Sequence, residues 1–216
     1  MQTATSSFTA TRPVTATAPF IVAIGGTQRE QSSTAAALRI CLREAEAHGA
    51  LTQLFSGAAL ELPFYDPMRA ERSPGATALI EALRRADGVI LASPGYHGSV
   101  SGLFKNALDY VQDTATDGRP YLSGRAVGCV ATAAGWHACG PVLASLRAMT
   151  HALRGWPTPL GVQINTSDRI FDHDGQCTNV SVDAQLRTMT HEVLEFALRR
   201  EQCADRQLTA PGRRGM

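Results

Sequence analysis

Short apolar runs alternate with amphipathic segments five times along this chain, and that rhythm leaves few folds open to it. "FIVAIGG", beginning at Phe20, is an apolar run closed by glycines and reads as a strand buried on both faces. "SSTAAALRICLREAEAHG" follows, with Ala36, Ile40 and Ala47 at helical spacing and His48-Gly49 as a stop. "LTQLFS", "DGVILAS", "RAVGCVATAA" and "TPLGVQIN" predict four further strands. "TALIEALRRA", "GLFKNALDYVQD", "GPVLASLRAMTHALRG" and residues 181–200 predict the helices that follow them. "GAALELPFYDPMRAERSPGA", with three prolines, reads as a long loop.

Strand and helix in strict alternation call for a parallel sheet with helices on both faces. Five units suit a flavodoxin-like, doubly wound five-stranded sheet better than the six-stranded dinucleotide fold. A chain of 216 residues, 44% hydrophobic, fits one such domain, read here as residues 19–200. Residues 1–18 are rich in Thr, Ala and Ser, have no apolar stretch of signal-peptide type, and read as a disordered tail. Residues 201–216 read as a second tail. A formal net charge of +1 offers no surface for nucleic acid or membrane. No apolar run reaches the roughly 20 residues a bilayer span needs. Five cysteines without a CxxC pair argue against a disulfide framework and suit a cytoplasmic location, with Cys129 expected in a buried strand.

In open sheets of this kind ligands bind at the carboxyl ends of the strands. Three loops therefore carry the functional reading. After the first strand, "GGTQREQSST" offers hydroxyls at Thr27, Ser32, Ser33 and Thr34 and the guanidinium of Arg29. It lacks both the Gly-Lys-Ser/Thr pair of a P-loop and the GxGxxG fingerprint. A Ser N-cap would use one of those hydroxyls. The whole set, beside a helix N-terminus, suits a phosphomonoester. After the third strand, "SPGYHGS" brings Pro94, Gly95, Tyr96, His97, Gly98 and Ser99, with small residues that let backbone approach something flat and rings that could stack on it. After the fourth strand, Thr132, Ala133, Ala134, Gly135 and Trp136 repeat the pattern of small residues around one aromatic.

These residues resemble those of the NAD(P)H-dependent FMN reductases of flavodoxin-like fold. The match covers about residues 19–200. Its most specific part is Ser93 to Ser99 followed by Gly102 and Lys105-Asn106-Ala107-Leu108-Asp109, against a family pattern close to S/T-P-x-Y-x-x-S-x-x-G-x-x-K-N-x-x-D. Thr27 stands where the family usually has Ser, and Thr34 where it often has Asn. Ala133-Ala134-Gly135-Trp136 replaces a common glycine pair. The resemblance implies that Thr27, Arg29, Ser32, Ser33 and Thr34 hold the FMN phosphate. It implies that Pro94 to Ser99 line the flavin ring, with the loop from Thr132 to Trp136 completing the site. Hydride would pass from NAD(P)H to FMN with no side-chain acid or base required. FMN would serve either as a substrate, released reduced to a flavin-dependent monooxygenase, or as a retained group that reduces a quinone or azo compound. An electron carrier without a nicotinamide site is the remaining alternative, and the near-neutral charge argues against it.

Lys105 is the single lysine among 20 basic residues. Its ammonium could cap a carbonyl, pair with Asp109 four residues on, or reach a second subunit. The family usually assembles as a homodimer or homotetramer. The helix from Gly102 carries Leu103, Phe104, Leu108, Tyr110 and Val111, an apolar arc wide enough that part of it is expected to face a partner. No metal site is expected: "FDHDGQ" lacks calcium-loop spacing, and His137 with Cys139 lacks a second ligand pair. His151 and His191 read as helix surface residues.

Overall fold

Ile21, Val22 and Ile24 leave a strand no polar face to show water, so β1 (Phe20–Gly25) takes the middle of a sheet. The computed structural model describes residues 18–29 and 32–209, the last nine by backbone alone. β1 lies between β2 (Leu51–Phe55) and β3 (Gly88–Tyr96), and β3 pairs on its other edge with β5 (Ala126–Ala133), all in parallel. Beyond β5 the fifth position is split. β6 (Trp156–Pro157) pairs the start of β5, and β7 (Val162–Asn165) pairs its end. The sequence predicts one strand over residues 158–165. Pro157 and Pro159 lack the N–H a continuous ladder needs, and the chain leaves the sheet between the two pieces. The order is that of a flavodoxin-like doubly wound sheet, as the alternation predicts.

Helices cover both faces. Val22, Ile24, Val89, Leu91 and Val127 point to one side, against α2 (Pro74–Arg85), α3 (Gly102–Asp109) and α4 (Trp136–Ala152). Ile21, Ala23, Ile90, Ala92 and Val130 point to the other, against α1 (Ser33–Ala47) and α5 (Val180–Thr209). This period-two sorting along each strand makes the core two layers deep. Cys129 is buried in β5, as expected. α5 continues past residue 200, the sequence boundary of the domain, while residues 1–17 and 210–216 lie outside the described part.

α3 corrects one expectation. Phe104, Leu108, Tyr110 and Val111 are all at most 4% exposed within a single chain, so the broad apolar arc is spent inside the domain rather than on a partner. The arc is wide because α3 runs into a tight 3-10 turn, Tyr110–Thr114, whose residues face the same core from a new angle.

The Lys-Asn pair of α3 divides its work. Lys105 Nζ meets Asp109 Oδ1 at 2.6 Å across one exposed helical turn. Asn106 is structural. Its amide donates to the Pro63 carbonyl at 2.9 Å and its oxygen accepts from the Tyr65 amide at 2.9 Å, pinning the long proline-rich loop to α3. A second anchor follows in the 3-10 turn. Arg72 grips both oxygens of Asp113, and Tyr65 Oη donates to the same carboxylate at 3.0 Å. The bonds from Arg72 hold the Asp113 carboxyl below its ordinary value, against the opposing pull of partial burial.

Because that folded-state value is depressed, the anchor stabilises fully above the unfolded carboxyl range near pH 4 and is lost as pH falls through the lower folded value. Asp113→Asn is expected to cost about 2 kcal/mol at pH 7. Urea unfolding of both proteins across pH should show the gap closing below about pH 4.

Candidate active site

The strand ends that the fold brings together leave a cavity of about 840 Å³ at the carboxyl edge of the sheet. It lies where the strand order reverses, between β1 and β3, the place at which open α/β sheets bind ligands. The volume falls in the range of small-molecule sites. Its walls come from the loops after β1, β3 and β5, as the sequence predicts, and from the loop after β7.

The first loop turns at Gly26. A Cβ there would stand 2.5 Å from the Cβ of Phe104 and 2.6 Å from Ser101 Oγ, so only glycine lets this loop reach α3. Thr27, Arg29, Ser32, Ser33 and Thr34 all line the cavity. Their hydroxyls are not equally free. Ser32 is the N-cap of α1 and accepts from the Ala35 amide at 3.1 Å. Thr27 Oγ1 donates to the Arg29 carbonyl at 3.1 Å. Thr34 Oγ1 lies 2.7 Å from Thr132 Oγ1, both residues 2% exposed, so these two lining hydroxyls tie α1 to the end of β5. Helix geometry leaves the amides of Ser33 and Thr34 without intrahelical acceptors. With Arg29, exposed and the only charged residue among the described lining, they gather positive potential at one end of the cavity.

The second loop is a hairpin. β3 runs on through Tyr96, turns at His97-Gly98, and returns antiparallel as β4 (Ser99–Val100). His97 and Gly98 both take left-handed backbone, φ 51° and 86°, the pairing a two-residue hairpin turn demands. Pro94, Gly95 and Tyr96 line the cavity, whereas His97, Gly98 and Ser99 form the hairpin tip outside its lining. Gly95 is required by packing, since a Cβ would come within 2.9 Å of Val142 on α4. Nothing lies within 4 Å of the Cβ position of Gly98, so its need for glycine comes from the turn.

The third loop leaves β5 with Thr132, Ala133 and Ala134 on the cavity wall. Gly135, at φ 116°, then opens α4. The sequence places that helix start at Gly140; the left-handed glycine moves it forward and sets Trp136 in the first turn, 59% exposed and two residues past the lining residue Ala134. Tyr96 is 56% exposed on the hairpin.

Sequence reasoning reaches Gly102 as a small residue of the second loop but misses Gly26, Gln28, Ser101, Leu103 and Thr166, all of which line the cavity. Ser101 and Gly102 fall inside the quoted motif, and their position as N-cap and first residue of α3 is the signal. Thr166 follows the fifth strand at the same sheet edge, so the rule that selects the other loops also reaches it. Asn165 just before it holds that edge, its Oδ1 accepting from the amides of Gly135 at 2.8 Å and Ser167 at 3.1 Å.

Residues 19–168 match the NADPH-dependent FMN reductase family. The chain belongs to that family. It is an NAD(P)H-dependent flavin oxidoreductase that works with FMN. The FMN-dependent NADPH-azoreductase of Staphylococcus aureus is 29% identical to it over 167 residues, 75% of this chain and 85% of the relative. Two solved structures share the fold. The flavoenzyme NAD(P)H:(acceptor) oxidoreductase FerB from Paracoccus denitrificans superposes with a TM-score of 0.70 at 17% identity, covering 84% of this chain and 98% of its own. An oxidoreductase from Corynebacterium diphtheriae gives 0.65 at 19% identity, with 84% and 98% covered.

The described residues fit FMN on their own chemistry: a cationic helix end for a phosphate, and a wall of small residues leading to the exposed ring of Tyr96. Gly98 provides a test that separates turn from ring contact. Gly98→Asn, which tolerates left-handed backbone, is expected to retain normal stability and flavin binding. Gly98→Val should lose about 1–2 kcal/mol of stability. Thermal unfolding and flavin fluorescence titration of both variants read the two effects.

Proposed function

We propose that this protein oxidises NAD(P)H with FMN seated in the 840 Å³ cavity, its phosphate at the start of α1 and its ring along Pro94–Tyr96 and Thr132–Ala134. The observation that carries this reading is the convergence, at one end of the lining, of the Arg29 guanidinium with the unpaired amides at the start of α1. Such an end favours a dianion. Arg29 supplies a charge-assisted donor, Ser33 a free hydroxyl, and the Ser33 and Thr34 amides two fixed N–H groups. Thr34 and Thr132 act by holding α1 against β5 rather than by touching phosphate.

Bound FMN supplies the hydride and electron chemistry. The chain's part is to orient and to exclude water. Among the described residues no Asp, Glu, Lys or Cys lines the cavity. Tyr96 and Trp136 flank the mouth with the hairpin tip of His97, Gly98 and Ser99 and the Gly135 turn, and offer planar surfaces to a second ring. That ring is the nicotinamide in one half of the cycle and the acceptor in the other.

The same two aromatics favour a second reading of the acceptor, in which FMN stays bound and reduces an azo compound or quinone that stacks at the mouth. The azoreductase relative supports this reading. In the first reading reduced FMN leaves for a flavin-dependent monooxygenase. Gel filtration separates them: retained yellow absorbance with double-displacement kinetics supports the bound group, and a colourless protein that turns over added FMN supports release.

The assembly proposed is a homo-oligomer, supported by exposed Phe64 and Met68, at 91% and 89%, on the proline-rich loop. A cytoplasmic setting is supported by Cys41, Cys129, Cys139 and Cys177, free thiols all. Among the described residues no helix is long and apolar enough to cross a membrane.

Arg29→Ala tests the phosphate assignment. It is expected to weaken FMN by about 1.5–3 kcal/mol, roughly 10–150-fold, while riboflavin affinity holds. Equal losses for both ligands in fluorescence titration would refute the placement.

A further inference from the structure

At the end of α1 remote from the cavity, three side chains of metal-ligating type converge. Glu44 lies on α1, His48 caps its C-terminus, and His191 stands on α5. One donor atom from each falls within 4.8 Å of the others. His191 Nε2 is 2.7 Å from Glu44 Oε1, and His48 Nδ1 is 3.4 Å from that same oxygen. The two imidazoles meet edge to face with centroids 4.6 Å apart. Glu44 is buried beneath them, while each histidine side chain is about half exposed and open to an ion from solvent. The helix rise puts this cluster about 16 Å or more along α1 from Ser33, so it is separate from the flavin cavity.

We propose that Glu44, His48 and His191 form a binding site for a divalent transition-metal ion of the zinc class. Two imidazoles and a carboxylate are a borderline set that suits Zn²⁺ or Ni²⁺, whereas Mg²⁺ and Ca²⁺ prefer oxygen throughout. Donors on a tetrahedral ion with bonds of about 2.1 Å stand roughly 3.4 Å apart. The His48–Glu44 pair already has that spacing. His191 has to swing outward by less than about 1 Å to match it.

The surroundings prepare the carboxylate for one more cation. Its Oε2 accepts from Arg187, whose guanidinium also binds Asp183 at 2.7 Å. The charge of Arg187 is thus divided between two carboxylates, and Oε1 is left facing the imidazoles alone. Without an ion, His48 Nδ1 lies 2.9 Å from the Glu44 carbonyl, and the proton between His191 and Glu44 holds the second contact. An ion takes the place of the proton at His191 Nε2, which moves to the far ring nitrogen, and His48 gives up its bond to the Glu44 carbonyl and carries its proton on Nε2, so both imidazoles bind in their neutral form. Three protein ligands leave a fourth position for water. The ion would staple α1 to α5 across residues 147 apart in sequence. No spacing motif joins them, although Glu44 and His48 share one helix face at i, i+4.

The experiment uses the full-length FMN-loaded protein, freed of metal by chelator dialysis, titrated calorimetrically with ZnCl₂ and in parallel with MgCl₂. Wild type is expected to take up one Zn²⁺ per chain with a rise in melting temperature, and to ignore Mg²⁺. The His48→Ala/His191→Ala double variant removes the His191–Glu44 bond but keeps Arg187 on Glu44, so it should fold with a wild-type flavin spectrum and a somewhat lower metal-free melting temperature, the baseline against which its zinc response is read. Its Zn²⁺ affinity should fall at least about tenfold, and the melting response should vanish. A wild type without a saturable zinc site, or a double variant that binds zinc as tightly as wild type, overturns the proposal and leaves the cluster a hydrogen-bonded tie between helices.

Discussion

The site depends on one hydroxyl. Ser101 Oγ donates to the Gly26 carbonyl at 2.8 Å and accepts from the Phe104 amide at 3.2 Å, with the residue 4% exposed. One atom therefore caps α3 and ties the loop after β1 to the loop after β3, across the point where the sheet reverses its order. The contact exists only because Gly26 has no Cβ to fill the space Ser101 and Phe104 occupy. Ser93 completes the brace from below. Its hydroxyl accepts from the Ser101 amide at 2.9 Å and donates to the Pro94 carbonyl at 2.9 Å, in full burial. Two serines so placed fix the relative position of the first and second loops, the proposed phosphate end and ring wall, before any ligand arrives, which lowers the ordering that binding must impose.

A site built this way divides its polar groups by purpose. Some are consumed in holding loops together: Ser93, Ser101, the Thr34–Thr132 pair, and Asn165 beneath the third loop. Few remain to face a ligand, chiefly Arg29, Ser33 and the first amides of α1. Hydride chemistry carried by a cofactor asks for that economy. A rigid apolar wall with one charged end orients a flavin, while an additional titratable group near the ring would add a competing proton path without aiding the transfer.

The fold was largely legible because every strand is sorted by period two between two helical layers, and apolar runs of that kind have few other homes. The loops were legible in identity, since ligand sites in this architecture sit at strand ends. What the residues do there was less so. A hydroxyl in the sequence does not show whether it meets a ligand or another hydroxyl, and Thr34 and Thr132 are 98 residues apart. Gly98 looked like a residue that yields space to a ring, yet its left-handed backbone serves a hairpin turn. Phe104 and Leu108 looked surplus to one helix face until the 3-10 turn after α3 supplied further core to cover. The fifth strand was placed correctly but read as continuous, because the cost of two prolines falls on ladder bonds that only the paired sheet reveals.

α1 joins these themes, for its two ends face opposite electrostatic tasks. Its N-terminus, with free amides and Arg29 nearby, is built to receive an anion. Its C-terminal turn gathers Glu44 under two imidazoles and a shared arginine, where the negative end of the helix dipole favours a cation. Burial alone would raise the Glu44 carboxyl, but hydrogen bonds from His191 and Arg187 outweigh it and keep the group below its ordinary value. A charge held that firmly at one end also fixes the helix axis, because α1 and α5 can neither slide nor rotate without breaking those bonds. The start of α1, where the phosphate is proposed to sit, is thus positioned from both directions, by Thr132 at its start and by α5 at its close.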